Sequence, residues 1–376
     1  MIKSDLNNLK KYLMKLSVLH FNPPEKYPPL MNLLNFIADQ NGVPTEVFTT
    51  HQNTGNNKYA NNSILIHHYG KNSFNPIKRY FAYLIFNIRT FFRLIIKKPD
   101  LVLVYETISV LPAFYYLKFF KHKKLMIHYH EYTSPSEIEM GSRYYKFLHN
   151  LEKKMFQKAQ WISHTNQERL DLFRNDNASV SFSSLNVLPN YPPLSFYDVV
   201  PHTISTPVKF VYCGVLSTDN MFLKEFSDYI ISQKGNAICD FYVLNCSDQI
   251  KSYFASIDEC LRLHEEIYYF DLPKVLTKYD IGVVLHKGTS PNYQFNLPNK
   301  VLEYLSSGLE VWCSSELSTT VHFKNNNNLE QLKIVDFSYL PQLEIGKHLN
   351  KLPDQFISKY NSQSVYTNFL NQVSKK

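Results

Sequence analysis

A short segment late in the chain combines residue types that could bind a phosphate and a sugar. It runs from Pro298 to Tyr304 and is followed by Gly308. Pro is favoured at the start of a helix and Gly just after its end, so the segment is predicted to form a short helix. Its first N–H groups and the Lys300 ammonium could hold a phosphate, and the Glu303 carboxylate could accept hydrogen bonds from sugar hydroxyls. The alternative is a capped surface helix with an ordinary Lys–Glu pair.

Among the histidines that end predicted strands, His20 and His286 are expected at the carboxyl ends where ligands bind in parallel sheets. His20 ends the first strand, and His286 ends the strand that precedes the 298–304 segment. Each could contact a substrate, and the alternative for each is a structural histidine in the core. The sequence has no HxxxH pair and no Asp/His cluster at the spacing of metal ligands, so no metal site is predicted.

Length and composition fit a globular protein of two domains. The chain has 376 residues, of which 44% are hydrophobic and 19% charged. Its five cysteines are odd in number and form no CxxC pair, which argues against a disulfide framework. Residues 1–15 are predicted to be an N-terminal extension without the apolar core of a secretory signal, so a cytoplasmic location is expected.

The region from Lys78 to Lys124, called here the basic aromatic region, carries ten Lys or Arg residues against Asp100 and Glu106. Its most apolar stretch is interrupted by Asn87, Arg89 and Arg93, and so falls short of the roughly 20 residues that a membrane span needs. Cations beside exposed aromatic rings are typical of proteins that rest on an anionic membrane surface. The alternative is a pair of amphipathic helices whose aromatic side chains belong to the core.

The first half of the chain alternates predicted strands and helices, as in a parallel sheet covered by helices on both faces. The predicted strands are 16–21, 46–49, 64–67, 101–105, 124–128 and 161–163. The predicted helices are 30–40, 77–96, 109–119 and 143–158. After residue 163 the pattern stops.

A cluster of prolines between Leu188 and Pro207 excludes regular structure there and predicts a linker. Beyond it the alternation restarts, with strands at 208–212, 238–244, 267–270, 281–285 and 309–313 and a helix at 222–232. The polar run 325–328 is predicted to be a loop. The expected domains are 16–190 and 208–352, joined by the linker 191–207 and followed by a C-terminal helix over 353–376.

The predicted fold class is therefore α/β, with two doubly wound, Rossmann-like domains that face each other across a cleft. Ligands in such sheets bind at the carboxyl ends of the strands.

Several stretches resemble GT-B glycosyltransferases of family four. The segment 298–305 with Gly308, after the strand 279–284, resembles the family's donor-binding signature of a Pro, a Lys, a Glu-Tyr pair and a Gly. Five further stretches are similar to family landmarks in the family's order, and the second of them resembles the loop that carries the family's active-site histidine. They lie at 98–102, 128–131, 159–165, 187–190 and 210–214. The resemblance covers 16–315.

The resemblance implies transfer of a sugar from a nucleotide-activated donor to a hydroxyl acceptor, with no metal or other cofactor. The second domain is expected to bind the donor, with Glu303 on the ribose and Lys300 on the diphosphate. Asn299 and Gly214 are further expected donor contacts. His130 is the implied catalytic residue, near the reacting carbon.

Other substrate contacts are expected from Glu131, beside His130, and from Asn296, before the 298–304 segment, in addition to His20 and His286. The expected partners are a nucleotide-sugar donor and a glycan or lipid-linked saccharide acceptor, as in synthesis of capsule or O-antigen polysaccharide with retention of anomeric configuration. An anionic membrane surface is a further expected partner, at the cytoplasmic face of the inner membrane. Nucleic acid is not expected, because the formal charge of +8 is modest and no binding motif is present.

The chain also departs from the family pattern. The family commonly has two glutamates with seven residues between them, and Phe295 stands at the first position. The cation usual after Gly214 is missing, with Lys224 the nearest, and Glu310 stands where a Pro is usual. Two alternatives therefore stay open: an inactive GT-B scaffold or partner protein, and a sugar-nucleotide epimerase of the same architecture.

Overall fold

The computed structural model describes residues 15–39, 43–51, 64–71, 73, 75–198, 204–244, 246–340 and 352–375. These residues divide into two compact units. The first runs to Pro189 and includes Val365–Lys376, and the second is Asn190–Ser364. Each unit is built on a parallel sheet with helices, which confirms the predicted α/β class. Apart from Lys15, the expected N-terminal extension lies outside the described residues.

The first unit contains a parallel sheet of seven strands in the order β3-β2-β1-β4-β5-β6-β7. The strands are β1 (Leu16–Leu19), β2 (Thr45–His51), β3 (Ile64–Lys71), β4 (Leu101–Tyr105), β5 (Lys124–Tyr129), β6 (Trp161–His164) and β7 (Leu185–Val187). The helices are Pro28–Asp39, Pro76–Lys97, Val110–Phe119, Pro135–Met140, Arg143–Phe156 and Gln167–Asp176. The central strand β4 is buried at every residue, as expected for a sheet covered on both faces.

The second unit contains a parallel sheet of six strands in the order β10-β9-β8-β11-β12-β13. The strands are β8 (Val208–Gly214), β9 (Ala237–Val243), β10 (Leu261–Glu265), β11 (Ile281–Val284), β12 (Glu310–Ser314) and β13 (Leu332–Val335). The helices are Leu223–Ser232, Asp248–Ala255, Leu272–Leu276, Pro291–Gln294, Asn299–Ser306, Ser318–Asn327 and Asp354–Lys359. Aromatic side chains dominate its core, among them Phe210, Phe226, Phe241 and Trp312.

The last helix, Ser362–Lys375, continues from the second unit into the first. Within the first unit, the Tyr366 hydroxyl donates to the Pro29 carbonyl at 2.7 Å. The Phe369 ring lies 5.3 Å from that of Trp161. The end of this helix therefore packs on the first sheet and beside the helix Pro28–Asp39.

The helix Asn299–Ser306 packs directly on the second sheet through Tyr304, which is fully buried. Its hydroxyl accepts a hydrogen bond of 2.9 Å from the Cys213 backbone N–H. A methyl group at Gly282, in β11, would lie only 2.3 Å from Tyr304 Cγ. Glycine is therefore required there, because only a residue without a side chain leaves room for the Tyr304 ring against the strand.

Four expectations about secondary structure in the second half were wrong. No strand forms at 267–270; the edge strand lies earlier, at Leu261–Glu265. This strand has no continuous apolar run, because Arg262 and His264 lie in it and bind Asp240. The 325–328 loop is mostly the end of the helix Ser318–Asn327. The single helix at 353–376 is two helices, which break at Tyr360 and Asn361. The proline-rich linker contains a 3-10 turn, Leu194–Tyr197, since Phe196 and Tyr197 are buried.

The first unit also continues beyond residue 163, where the sequence pattern stops. The helix Gln167–Asp176 starts at Asn166, whose side chain accepts from the Arg169 N–H. It has few buried apolar residues, and β7 is only three residues long, so neither gives a strong periodic signal.

The described part of the chain contains no helix that is both long and apolar enough to cross a membrane. All five cysteines lie in the second unit as free thiols.

Replacing Gly282 by Ala should destabilise the second unit by about 1–3 kcal/mol, because the new methyl group overpacks the contact with Tyr304. Tyr304→Phe, which keeps the ring, should cost about 1–3 kcal/mol by leaving the Cys213 N–H without its acceptor. Urea unfolding followed by circular dichroism measures both effects. A Gly282→Ala variant with the parental unfolding midpoint would contradict this packing.

Candidate functional site

The predicted donor-binding residues Gly214 and Lys300 lie together at the carboxyl end of β8. Gly214 has a φ of 136°, and a methyl group there would lie 2.7 Å from Lys300 Nζ. Glycine therefore leaves the space that the ammonium occupies. Lys300 Nζ is also 5.3 Å from the centre of the Tyr212 ring.

Glu303 lies one helical turn after Lys300 and is 7% exposed. Burial raises the pKa of its carboxyl to about 7, and the positive charge of Lys300 opposes that shift. Burial lowers the pKa of the Lys300 ammonium, and Glu303 opposes that shift in turn. The two charges therefore depend on each other.

The start of the helix Asn299–Ser306 has no side-chain cap, since Pro298 precedes it. Its first-turn N–H groups and the Lys300 ammonium together form a positive end that suits an anion.

His286 joins this group from the end of β11. Its ring stacks on Tyr293 at 5.5 Å, and its backbone pairs with Met221. Burial, and then the charge of Lys300, lower the pKa of His286 to about 3. Asn296 and Asn299 are half-buried on the segment that enters the helix. Asn296 is held through its carbonyl, which accepts from Thr320 Oγ1 at 3.0 Å.

The structure gives a physical reason for one departure from the family pattern. Glu310 is buried in β12, where its carboxylate accepts from Trp312 Nε1 at 2.7 Å and pairs with Lys333 Nζ at 3.0 Å. Phe295, which stands where the family commonly has its first glutamate, directly follows the short helix Pro291–Gln294.

A cation that sequence reasoning missed is Lys287, which follows His286. Lys224, which the sequence analysis named as the nearest cation after Gly214, is instead exposed on the helix Leu223–Ser232. Lys287 Nζ lies 3.5 Å from Glu225 Oε1 and 5.0 Å from the centre of the Phe222 ring.

In the first unit, the predicted catalytic residue His130 lies directly after β5 in a cluster of rings. Its ring centre is 5.1 Å from that of Tyr105 and 5.5 Å from that of Tyr27. The ring centre of His20 is 6.2 Å away. His130 is 8% exposed, and within the described residues its two ring nitrogens have no hydrogen-bond partner.

The histidines of this cluster are uncharged at neutral pH. Burial lowers the pKa of His20 to about 4 and that of His128 to about 3. Burial also lowers the pKa of His130 well below its ordinary value, and the nearby histidines and Arg169 add to the shift. A neutral imidazole can donate one hydrogen bond and accept another, which suits a sugar hydroxyl.

Glu131 is exposed beside His130 and lines a cavity of about 280 Å³ within the first unit. The cavity wall includes Tyr129, Tyr132 and the buried Glu152. Sequence reasoning missed two groups that bind the His130 backbone, Glu106 and Arg169. Glu106 directly follows β4, so the strand-end rule could have found it, whereas Arg169 lies on a helix that was not predicted.

No protein-family model and no curated protein sequence matches the chain. Solved structures do. An α,α-trehalose-phosphate synthase (UDP-forming) from Burkholderia vietnamiensis has a TM-score of 0.63 and 8% identity, covering 96% of this chain and 99% of that one. Anabaena HepE in complex with UDP and glucose has a TM-score of 0.60 and 11% identity, over 97% and 100% of the chains.

The UDP-GlcNAc 2-epimerase of Methanocaldococcus jannaschii, in complex with UDP-GlcNAc and UDP, has a TM-score of 0.57 and 10% identity, over 96% and 100% of the chains. Such likenesses show the fold, which is GT-B. Glycosyltransferases and epimerases share it, so the fold leaves both activities open.

The free energy of unfolding should decrease as the pH falls, because the buried histidines are protonated more easily in the unfolded chain. A histidine whose folded pKa is depressed is neutral in both states above about pH 6.5, and below that pH only the unfolded chain takes up the proton. His128→Gln removes one such group, so between about pH 6.5 and 4.5 its free energy of unfolding should fall less than the parent's, by about 2 kcal/mol.

Urea unfolding at several pH values measures this difference. The control His122→Gln changes an exposed histidine of the same unit and should keep the parental pH dependence. An identical pH dependence in His128→Gln and the parent would show that His128 is not a buried neutral group.

Proposed function

We propose that this GT-B protein is a glycosyltransferase that moves a sugar from a nucleotide-sugar donor to a glycan or lipid-linked saccharide acceptor. One observation carries the proposal: a half-buried Lys300 and a buried Glu303 one turn apart at an uncapped helix start, beside a glycine at a strand end. A nucleotide diphosphate brings the matching groups, which are two phosphates and a ribose diol.

The proposed roles follow from charge. Breaking the donor's bond to the sugar leaves negative charge on the diphosphate, and Lys300 with the first-turn amides can stabilise that charge without a metal ion. The Glu303 carboxylate can accept hydrogen bonds from the ribose hydroxyls. His130 contributes a neutral imidazole that can bind a hydroxyl or pass a proton in the transition state.

We further propose retention of anomeric configuration and a role in cell-surface polysaccharide synthesis. The likeness of the 298–305 segment and of the landmark order to family four supports both. Proton NMR of the product's anomeric signal tests retention.

An epimerase is the second candidate, favoured by the likeness to the UDP-GlcNAc 2-epimerase. Incubation with UDP-GlcNAc, UDP-glucose or UDP-galactose, each together with a glycan or lipid-linked saccharide that supplies the acceptor hydroxyl, followed by NMR, separates the two. Release of UDP with a new glycosidic product supports a transferase, and an epimeric UDP-sugar without UDP release supports an epimerase. If no sugar nucleotide binds or reacts, the position of Phe295 favours the scaffold alternative.

Substitutions of Lys300 and Glu303 should weaken the binding of different parts of the nucleotide. Glu303→Gln keeps the shape and removes the charge, so UDP affinity should fall by about 1.5–3 kcal/mol, typical of a hydrogen bond to a charged group. Lys300→Ala should weaken binding of UDP while leaving binding of uridine unchanged, because its proposed partner is the phosphate.

Isothermal titration calorimetry measures both affinities. The control Lys278→Ala removes the same charge from an exposed site just before β11, at the opposite end of the strand, and should bind UDP like the parent. Parental UDP affinity in both site variants would refute the assignment.

We also propose that the protein docks on an anionic membrane surface through the helix Pro76–Lys97. Eight large apolar side chains on this helix are 39–69% exposed, and they are Ile77, Tyr80, Phe81, Leu84, Ile85, Ile88, Phe92 and Ile96. The opposite side of the helix, with Ala82, Phe86 and Leu94, is buried in the core.

The exposed stripe continues onto the helix Val110–Phe119, where Tyr115 and Phe119 are exposed and lie 6.4 and 6.2 Å from the Phe91 ring. Between the two helices is an apolar groove of about 250 Å³. Exposed patches of this kind mark interaction surfaces.

Cations surround the stripe, which favours an anionic bilayer over a neutral partner. Exposed ones are Lys78, Arg79, Arg89, Lys98, Lys118 and Lys121. Lys123 is instead paired with Asp100 at 2.7 Å and serves the fold. We infer a peripheral location at the cytoplasmic face of the inner membrane, where a lipid-linked acceptor would be reached.

The double variant Phe81→Ser/Phe92→Ser should bind anionic vesicles about tenfold or more weakly, because each exposed ring contributes about 1.5–3 kcal/mol when it enters the bilayer. Binding of the parent should also weaken with salt, since each surface Lys or Arg contributes about 1 kcal/mol. Flotation with phosphatidylglycerol/phosphatidylcholine vesicles measures both.

The control Phe182→Ser removes an exposed ring of the same unit on a different element and should float like the parent. Equal flotation of the double variant and the parent would overturn the docking proposal. So would loss of a dimer, rather than of vesicle binding, in the double variant.

A further inference from the structure

The His130 peptide unit is held by hydrogen bonds on both sides. Its N–H donates to Glu106 Oε1 at 2.6 Å. Its carbonyl accepts from Arg169 Nη1 at 2.7 Å. The next backbone N–H, that of Glu131, also donates to the Glu106 carboxylate. Three hydrogen bonds to the Glu106 and Arg169 side chains therefore fix the backbone at and just after His130.

Glu106 reaches this position from an unfavourable backbone conformation. It directly follows β4, and its own N–H donates to the His128 carbonyl at 3.1 Å, which continues the parallel pairing of β4 and β5. Its φ is 60° and its ψ is 152°. Non-glycine residues rarely adopt such angles, and they persist where the surroundings enforce them. Here the carboxylate's two amide partners do so.

Arg169 comes from the other side, in the first turn of the helix Gln167–Asp176. It is 3% exposed, and Nη1 also donates to Thr165 Oγ1 at 3.1 Å. A guanidinium is costly to bury without acceptors. The His130 carbonyl is one of its acceptors, and the carboxylates of Glu106 and Glu131 lie near enough to act on its charge.

Within the part of the chain that the structure describes, the His130 ring has no polar partner of the kind that usually orients a catalytic imidazole. Within the described residues neither of its nitrogens is hydrogen-bonded, and its neighbours are the rings of Tyr27, Tyr105, His20 and His128. Ring contacts alone hold the orientation of the His130 imidazole weakly. Hydrogen bonds to the His130 backbone, in contrast, fix the position of its Cα and therefore of the attached side chain.

We propose that Glu106 and Arg169 are positioning residues that clamp the His130 peptide and so aim its imidazole at the substrate. This inference rests on the proposed function for its catalytic consequence. The clamp itself consists of hydrogen bonds to the backbone, so its presence can be measured without a substrate.

The clamp should matter for turnover and not for donor binding. Lys300 and Glu303, the proposed donor ligands, belong to the second unit, whereas Glu106, Arg169 and His130 belong to the first. Displacement of a reacting group by about 1 Å can cost about a hundredfold in rate. Loss of the clamp should therefore lower kcat while the Kd for the nucleotide stays unchanged.

The test uses the full chain with Glu106→Gln, which keeps the shape but presents an NH2 group to one of the two amides. Hydrogen–deuterium exchange with mass spectrometry should show exchange about tenfold faster at His130 and Glu131. Exchange in β6, at 161–164, should stay parental. The matched control is Glu152→Gln, which changes a fully buried carboxylate of the same unit that accepts from Thr107 instead, at 2.8 Å.

Arg169 supplies the second arm, which also guards against misfolding of Glu106→Gln. Arg169→Met should speed exchange at the same amides, and Arg169→Lys, which retains a donor, should restore part of the protection. Parental exchange at 130–131 in both Glu106→Gln and Arg169→Met would overturn the clamp.

Turnover is measured as UDP release from the UDP-sugar that the parent accepts, and binding as the Kd for UDP. Glu106→Gln should lower kcat about tenfold to a hundredfold, in the direction of His130→Ala, with parental UDP affinity. Faster exchange with parental kcat would refute the positioning role. If the parent neither binds nor turns over any UDP-sugar, the proposed function fails, and the exchange data still decide whether the clamp exists.

Discussion

Parallel strand pairing is the constraint on which both units depend. It places all strand carboxyl ends at one edge of each sheet and leaves the backbone groups there to be satisfied by the residues after each strand. In the second unit this edge collects Gly214 after β8, His286 after β11 and the helix that carries Lys300. In the first unit it collects His20, Glu106 and His130 after β1, β4 and β5.

Polar side chains near these strand ends are buried, among them His20, His130 and Glu303, which opposes folding. Burial shifts the pKa of Glu303 and Glu106 upward, to about 7 and 8, and that of the histidines downward. Each shift means that the charged form is less stable in the folded chain than in water. Such clusters in a core devoted only to stability would be replaced by apolar residues, so their presence at the ligand edge favours a functional role.

The sequence was sufficient for the parts of the fold that periodicity dictates. The strands at 101–105 and 124–128 and the helix near 77–96 are strongly apolar or amphipathic, and the structure places them within one or two residues of those limits. The short helix after Pro298 was predicted by its boundary residues and is found at Asn299–Ser306. The edge strand Leu261–Glu265 was not predicted, because polar residues break its apolar run: Arg262 and His264 bind Asp240 of the neighbouring strand.

The candidate site divides in the same way. The boundaries of the 298–304 helix single out Lys300 and Glu303, because they are local signals, whereas Gly214 and His130 were expected from the resemblance to family four. The ring cluster around His130 and its contacts with Glu106 and Arg169 depend on residues 24 and 39 positions away. The strand-end rule points to Glu106 and His130 separately, but only the order of the strands brings them together, and the helix that carries Arg169 gives no strong periodic signal.

We propose that Lys300 and Glu303, one turn apart at the start of a helix, bind a nucleotide diphosphate. Calorimetric titration of uridine, UMP and UDP into the unmodified protein tests it most directly. Affinity should rise with each phosphate, so that UDP binds most tightly, and added salt should weaken UDP binding more than uridine binding. Equal affinities for the three compounds, or no heat of binding with UDP or GDP, would contradict it.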